Sequence, residues 1–92
     1  MTKSEEQILS LSIGDDKGRV TIPIKNRNEL NLKPGSKVEL TYLKVKGKKT
    51  NPPYSETSVL DEMNRFQTTT NTRNYLNLNK KEYFLAKISL IE

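Results

Sequence analysis

Two pairs of arginines have the clearest chemistry in this sequence. Arg19 and Arg27 recur 46 positions later as Arg65 and Arg73. A guanidinium offers five donors in a planar fork, which suits phosphate oxygens and the edges of guanine bases. A single surface arginine more often solvates the surface or pairs with an acid, but recurrence of both positions favours a binding role. We therefore expect the four guanidiniums to share one face.

Positive charge surrounds the first arginine pair. Lys17 and Lys25 lie beside it, whereas the second half has Met63 and Asn71 at those places. The chain has 16 Lys and Arg against 11 Asp and Glu, a net charge of +5. Because Lys and Arg that displace phosphate counterions gain affinity, this balance favours a polyanionic partner. Ribosome-associated and membrane-surface proteins share such a charge, so it does not choose among them.

Several kinds of chemistry are excluded by composition. The sequence has no cysteine and no histidine, which removes disulfides, the usual zinc ligand sets and a catalytic triad. The acids Asp15 and Asp16, with Asp61 and Glu62 in the second half, resemble a carboxylate site for a metal ion or acid-base catalysis. Turn formation explains them more simply, because aspartate hydrogen-bonds its own backbone. We expect no enzyme activity, no metal site and no cofactor.

The length of 92 residues gives room for one compact core. No stretch approaches the roughly 18 to 20 apolar residues of a membrane span, and the N-terminus lacks the apolar segment of a signal peptide. We expect a cytoplasmic, nucleoid-associated protein without membrane contact.

Hydrophobic periodicity predicts a mainly β fold with short helices. Residues 1–7 are polar and expected to fray. The predicted elements of the first half are a strand at 8–13, a turn at 14–18, a strand at 19–22 that forms a hairpin with the first, a helix at 24–30, a turn at 33–36 and a strand at 37–45. Asn31 is expected to end the helix in the left-handed conformation. Charge, glycine and paired prolines in KGKKTNPP, from Lys46 to Pro53, predict an exposed linker.

The second half repeats the first without a gap when the chain is shifted by 46 positions. The identical pairs are Ser12/Ser58, Asp15/Asp61, Arg19/Arg65, Arg27/Arg73, Asn28/Asn74, Leu30/Leu76, Asn31/Asn77 and Leu32/Leu78. Similar pairs include Ile13/Val59, Val20/Phe66, Val38/Phe84 and Gly18/Asn64. The repeat predicts one domain over residues 1–92, made of a first unit at 8–46, a linker at 47–53 and a degenerate second unit at 54–92.

Lysines and aromatic residues of the second half allow two interpretations. Lys46, Lys48 and Lys49 beside Tyr54 could bind a DNA backbone, although a solvated linker is the simpler interpretation. The aromatic residues Tyr75, Tyr83 and Phe84 are expected in the core or an interface rather than as base-stacking platforms. The run TTTNT, from Thr68 to Thr72, has no evident physical role in the sequence.

A known family shares the pattern of the first half. Its motifs are Asp-x-Lys-Gly-Arg at residues 15–19, Val-Thr-Ile-Pro at 20–23, a short helix with Arg27 and Leu30, and Leu-Lys-Pro-Gly-Ser-Lys-Val-Glu-Leu at 32–40. With these motifs, residues 11–45 resemble the AbrB/MazE/SpoVT family of swapped-hairpin DNA-binding regulators. In that family two copies interlace into one barrel-like dimer, because each copy alone leaves strand edges and apolar faces uncovered.

The resemblance implies a function and a site. It assigns DNA binding to Arg19 and Arg27 with Lys17 and Lys25 as neighbours, and through the repeat to Arg65 and Arg73. It implies a double-stranded DNA-binding transcriptional regulator whose swapped-hairpin β-barrel forms within one chain, as a monomeric pseudo-dimer, or in a homodimer. The second half departs from the motif, because Thr69, Lys80 and Lys81 replace Pro23, Pro34 and Gly35.

Two other functions stay open. One is an antitoxin-type protein that binds a toxin partner and its own operator; relatives of that kind carry an acidic C-terminal arm, whereas YFLAKISLIE predicts a strand here. The other is a nucleoid-type architectural protein that binds DNA with little sequence preference.

Overall fold

The computed structural model describes residues 6–91 as a mainly β fold with two short helices. About half of these residues lie in strands. The elements are β1 (Glu6–Ser12), β2 (Arg19–Thr21), α1 (Ile24–Leu30), β3 (Lys37–Val45), β4 (Lys48–Val59), β5 (Arg65–Gln67), α2 (Thr70–Leu76) and β6 (Tyr83–Ile91). The predicted fold class is confirmed, and α1 and β3 have the predicted bounds.

Both ends of the predicted organisation extend beyond the described residues. Residues 1–5 of the expected frayed segment and residue 92 of the expected second unit lie outside them. The prediction of fraying is wrong for Glu6 and Gln7, which begin β1 and pair with Ser89 and Ile88 of β6.

Every strand pair joins the first half of the chain, residues 6–46, to the second half, residues 47–91. A four-stranded antiparallel sheet has the order β1-β6-β3-β4, and β2 and β5 form a separate two-stranded sheet. The strands β1, β2 and β3 come from the first half and the others from the second, and all four ladders cross between halves. Each half therefore covers strand edges that the other half would leave exposed.

The expected hairpin between the first two strands is wrong. A backbone bond of 2.9 Å from Gly14 N–H to Arg19 O closes the turn after β1, but β1 pairs with β6 and β2 pairs with β5. The strands of the described residues form these two sheets, and no closed barrel is detected among them.

Residues 48–53 of the expected linker at 47–53 belong to a strand. Lys46 and Gly47 form a two-residue turn with φ values of 52° and 80°, and β4 begins at Lys48, which pairs with Val45. Positive φ at both central residues is typical of the type I′ turn, whose twist suits a hairpin. The segment is exposed, as its composition predicts, but it joins the halves by a tight turn rather than a flexible tether.

One core lies between the two sheets. Val20 of β2 and Phe66 of β5 are directly opposite each other and fully buried. They belong to one apolar cluster with inward residues of the larger sheet and of both helices and their ends, namely Val38, Leu40, Tyr42, Phe84, Ala86, Ile88, Leu30, Leu32, Leu76 and Leu78. The two halves therefore bury their apolar surface together.

Corresponding turns of the two halves share their backbone conformations. Asn31 and Asn77 end the helices in the left-handed region, with φ of 60° and 54°, as predicted for Asn31. Gly18 and Asn64 also have positive φ, 79° and 58°. Asparagine tolerates this region better than most side chains, so the substitution preserves the turn.

Before the aspartate turns, the two halves correspond with an offset of one residue from the sequence repeat. Ile13 is 1% exposed whereas Val59 is 55% exposed, and the buried residue at the end of β4 is Leu60. The closing backbone bond to the arginine carbonyl comes from Gly14 N–H in the first half and from Asp61 N–H in the second. Gly14 is thus an extra residue, and a one-residue offset turns side chains to the opposite face. The expected equivalences that fail are Ser12/Ser58 and Ile13/Val59.

Neither helix, within the part of the chain that the structure describes, is long and apolar enough to cross a membrane.

Because of the offset, we expect substitutions at Ile13 and Val59, which the sequence repeat aligns, to change the free energy of unfolding by different amounts. We expect Ile13→Ala to lower the free energy of unfolding by about 2–5 kcal/mol, because it opens a cavity in the core. Val59→Ala should change it by at most about 0.5 kcal/mol, because the side chain is exposed. Urea unfolding of both variants measures the difference, and equal losses would contradict the offset.

Candidate nucleic-acid interface

The two turns that precede β2 and β5 are built around aspartates. Asp15 Oδ1 accepts hydrogen bonds from the backbone N–H groups of Lys17 and Arg19, both at 3.0 Å. Asp61 Oδ1 accepts the corresponding bonds from Met63 at 2.8 Å and Arg65 at 2.9 Å. Both carboxylates therefore organise turns, as the simpler interpretation predicted.

The same carboxylates orient the first arginine of each half. Arg19 Nε donates to Asp15 Oδ2 at 2.6 Å, and Arg65 Nε donates to Asp61 Oδ2 at 3.0 Å. Among residues 6–91, the hydrogen bonds of these two guanidiniums involve Nε, which leaves the terminal nitrogens of each fork for another partner. Each ion pair thus fixes the orientation of its arginine and leaves hydrogen-bond donors of the guanidinium available.

The two-stranded sheet presents polar side chains outward. Val20 and Phe66 point into the core, so the residues that flank them in β2 and β5 face away from it, namely Arg19, Thr21, Arg65 and Gln67. We call these four residues the arginine face. Arg19 lies opposite Gln67, and Arg65 lies opposite Thr21. The two arginines are therefore diagonal neighbours across the ladder, a position at which side chains start roughly 7–8 Å apart.

Arg73 of α2 packs against the turn of the other half. A Cβ atom at Gly18 would lie 2.8 Å from both Cζ and Nε of Arg73. A Cβ atom there would also lie 2.6 Å from the Thr68 hydroxyl oxygen. Glycine is therefore favoured at this turn, because its φ of 79° suits a residue without a side chain and because a side chain would crowd Thr68 and Arg73. Arg73 also donates from Nη2 to Thr70 Oγ1 at 3.3 Å.

Further bonds from the second half hold this turn. Gln67 Nε2 donates to the backbone carbonyl of Lys17 at 2.8 Å, and the buried Thr68 hydroxyl donates to Gly18 O at 2.8 Å. Lys80 Nζ lies 3.1 Å from Asp16 Oδ1. Side chains of the second half of the chain therefore position the turn that orients Arg19.

The remaining predicted site residues are less closely linked. Lys17 is exposed in the turn next to Gly18, and Lys25 is exposed on the first turn of α1. Arg27 is half-buried in the last turn of α1, the position that Arg73 has in α2. Among residues 6–91, no side-chain hydrogen bond or ion pair joins Arg27 or Lys25 to the other predicted site residues.

Clefts lie beside both helix arginines. Arg27 lines one of about 590 Å³ with Asn28 and Asn31. Arg73 lines a smaller one of about 280 Å³ with the corresponding Asn74 and Asn77. In both clefts the arginine Nε is buried and lacks a hydrogen-bond partner within residues 6–91. The Arg27 cleft, which Lys33 also lines, therefore combines cations with amide groups that can bind phosphate or base edges. The Arg73 cleft is also lined by the carboxylates of Asp15 and Asp16, which disfavour a phosphate there.

Sequence reasoning missed the role of the threonine run. Thr69 caps α2, since its hydroxyl accepts from Thr72 N–H at 3.1 Å. Thr72 is buried and its hydroxyl donates to Glu56 Oε1 at 2.8 Å. Glu56 Oε2 also accepts from the Tyr42 hydroxyl at 2.6 Å, and burial followed by this bond raises the pKa of Tyr42. A threonine three residues before another at a helix start was the available signal.

The expectation for the aromatic residues is confirmed in part. Phe84 is buried, but Tyr75 and Tyr83 are 62% and 64% exposed on this chain. They do not belong to its core.

Comparisons with known proteins agree with the fold. A family model described as antidote-toxin recognition MazE, bacterial antitoxin, matches residues 11–51. The chain is similar to the solution structure of PHS018 from Pyrococcus horikoshii, with a TM-score of 0.68 and 17% identity over 91% of this chain and 87% of that chain. At that identity the likeness shows the fold alone. The comparison with curated proteins gave no match.

Hydrogen bonds to the charged form lower the pKa of both turn aspartates. The backbone N–H of Arg19 is the largest cause for Asp15, and the backbone N–H of Arg65 is the largest for Asp61. Since each pKa is lower in the folded state, the stabilisation is present above the ordinary value of 3.8 and is lost as the pH falls through the folded value.

We therefore expect stability to fall on acidification below about pH 4, and to fall less in the variant Asp15→Asn/Asp61→Asn. Asparagine keeps the turn acceptor but has no charge to lose. Chemical unfolding at several pH values measures this dependence. Asp16→Asn is the control, because its exposed carboxylate pairs with Lys80 instead. The same acid dependence in the double variant and the wild type would contradict the assignment.

Proposed function

We propose that the protein binds double-stranded DNA and regulates transcription, with its DNA contacts centred on the arginine face. The observation that carries the proposal is the matched orientation of Arg19 and Arg65. Each emerges from an aspartate-centred turn, and both face outward on adjacent strands. Arginine forks held in this way are suited to successive phosphates and to guanine edges in a groove. The net charge of +5 adds attraction for DNA from a distance.

The proposed DNA-binding surface extends from this face to its neighbours. Arg73 packs on Gly18, beside Arg19, and Lys17 is exposed in the same turn. Arg27 and Lys25 of α1 complete the proposed set. Beside Arg19, the proposed surface combines residues from both halves of the chain.

We further propose that the chain consists of two repeated units. The order strand, short strand, helix, strand recurs in both halves, and the aspartate turns and left-handed asparagines match. The units differ in charge, because Met63 and Asn71 stand where the first has Lys17 and Lys25. A DNA site bound by such a pair should be an imperfect palindrome.

Substitutions on the arginine face test the proposal. We expect Arg19→Gln/Arg65→Gln to weaken duplex binding about tenfold or more and to lower the salt slope by about one unit per arginine. Lys37→Gln/Lys87→Gln is the matched control, since it removes the same charge from two lysines of the four-stranded sheet that lie outside the proposed site. Gel-shift or anisotropy titrations at several salt concentrations measure both quantities, and unfolding curves verify the fold.

The outcomes separate the candidates. If both the Arg19→Gln/Arg65→Gln variant and the Arg27→Gln/Arg73→Gln variant bind duplex DNA as the wild type does, the proposed DNA-binding site is wrong. Equal affinity for all duplex sequences would indicate an architectural DNA binder rather than a regulator, because specific binders exceed their own non-specific affinity by about a thousandfold or more.

A second candidate is an antitoxin-type function. The family model that matches residues 11–51 carries this description, and it favours a toxin partner in addition to an operator. Isolation of the protein from its native cells as a stoichiometric complex with one small partner, with cell growth arrested when that partner is expressed alone, would promote this candidate. Isolation without a partner would favour the regulator.

A further inference from the structure

A second basic surface lies outside the arginine face. A cleft of about 640 Å³ separates the β3–β4 hairpin from α2. Its apolar lining comes from Val45 and Leu76, which are buried, and from Tyr75. Its charged lining comes from Lys46, Lys48 and Lys49. The cleft thus combines an aromatic wall with a positively charged rim.

The aromatic wall is the exposed end of a row of four aromatic rings, of which the last two are stacked. Tyr75 is 62% exposed and stacks on Tyr54, with ring centroids 5.0 Å apart and planes inclined by 26°. Tyr54 lies 6.1 Å from Tyr42, and Tyr42 lies 5.3 Å from the buried Phe84. One face of Tyr75 is therefore covered by protein, and much of the ring surface lies open to the cleft and solvent.

Hydrogen bonds fix the base of this row. The Tyr42 hydroxyl donates to Glu56, and the Thr72 hydroxyl lies 2.8 Å from Glu56 Oε1 and 3.2 Å from Tyr54 Oη. These bonds tie β3, β4 and α2 together beneath Tyr75. A ring held in place before a ligand arrives loses little conformational entropy on binding.

The lysine rim is formed by the hairpin. Lys44 and Lys49 are directly opposite each other in the β3–β4 ladder, a pairing of like charges that is unfavourable in a sheet. Lys46 has an ion pair with Glu82 at 3.5 Å, whereas no ion pair within residues 6–91 neutralises Lys44, Lys48 or Lys49. Lys44 itself lines a different cleft, with Tyr83 and Phe84, so an anionic ligand in the Tyr75 cleft would contact Lys49 and reduce the repulsion from that side.

We propose that this cleft binds single-stranded nucleic acid, with a base stacked on Tyr75 and the adjoining phosphates on Lys48 and Lys49. An open aromatic face beside a positive groove is the combination that single-stranded nucleic acids require, because every base has a face that can stack. Asn51 and Asn77 also line the cleft and supply amides for base edges. A DNA duplex fits this cleft less well, because its bases are stacked on one another and cannot stack on Tyr75. An acidic peptide could bind the lysines but would not need the Tyr75 ring.

Fluorescence anisotropy with a labelled short oligodeoxythymidine and the full chain tests this proposal. We expect Tyr75→Leu to weaken binding about fivefold or more, since it removes the stacking surface, and Tyr75→Phe to retain wild-type affinity. Lys48→Gln/Lys49→Gln should weaken binding and lower the salt slope by about 0.7 for each phosphate that the variant no longer neutralises. The control Lys37→Gln/Lys87→Gln removes two lysines of the four-stranded sheet that do not line this cleft and should bind as the wild type does.

The outcomes also separate this cleft from the arginine face. Arg19→Gln/Arg65→Gln should keep its affinity for the oligonucleotide, whatever happens to its affinity for duplex DNA. Absence of binding by the wild type, or equal binding by folded Tyr75→Leu, would overturn the proposal. So would binding of polyglutamate that is as tight as that of the oligonucleotide and equally tight in Tyr75→Leu, which would indicate an acidic peptide. Parallel loss of duplex and single-strand binding in the Arg19→Gln/Arg65→Gln variant would also overturn it, because it would indicate one shared duplex site.

Discussion

Pairing of every strand with a partner from the other half of the chain is the constraint on which this structure depends. Neither half retains a ladder of its own among residues 6–91, and the core residues of both pack into one cluster. Main-chain hydrogen bonds and apolar burial are therefore gained together, when the halves interlace. The short helices, seven residues each, follow from this arrangement, because such lengths need tertiary packing to be stable.

The same interlacing positions the chemistry. A guanidinium on a flexible side chain is a poor recognition element until something fixes it, and here each turn aspartate bonds both the backbone and the Nε of its arginine. The first of these turns is held by Thr68 and covered by Arg73, both from the other half. The geometry of the arginine face therefore depends on the strand pairing between the halves. The Tyr75 cleft depends instead on a separate hydrogen-bond network around Glu56.

Local features of the fold could be predicted from the sequence, and long-range pairing could not. The bounds of α1 and β3 and the left-handed Asn31 follow from periodicity and from the conformational preference of asparagine. The partners of β1 and β2 do not, since a three-residue strand such as Arg19–Thr21 fits a local hairpin as well as a distant ladder. The extra residue at Gly14 was hidden because an apolar residue, Val59, happens to align with Ile13. The placement of Arg19 and Arg65 on one outward face depends on the pairing of β2 with β5.

Sedimentation equilibrium, combined with thermal unfolding at several protein concentrations, tests most directly whether the interlacing occurs within one chain. We expect a particle of 10.6 kDa with one cooperative transition. Its midpoint should not vary with protein concentration, because no association accompanies folding. A particle of twice that mass whose midpoint rises with concentration would contradict the account, since the strands would then pair between two chains.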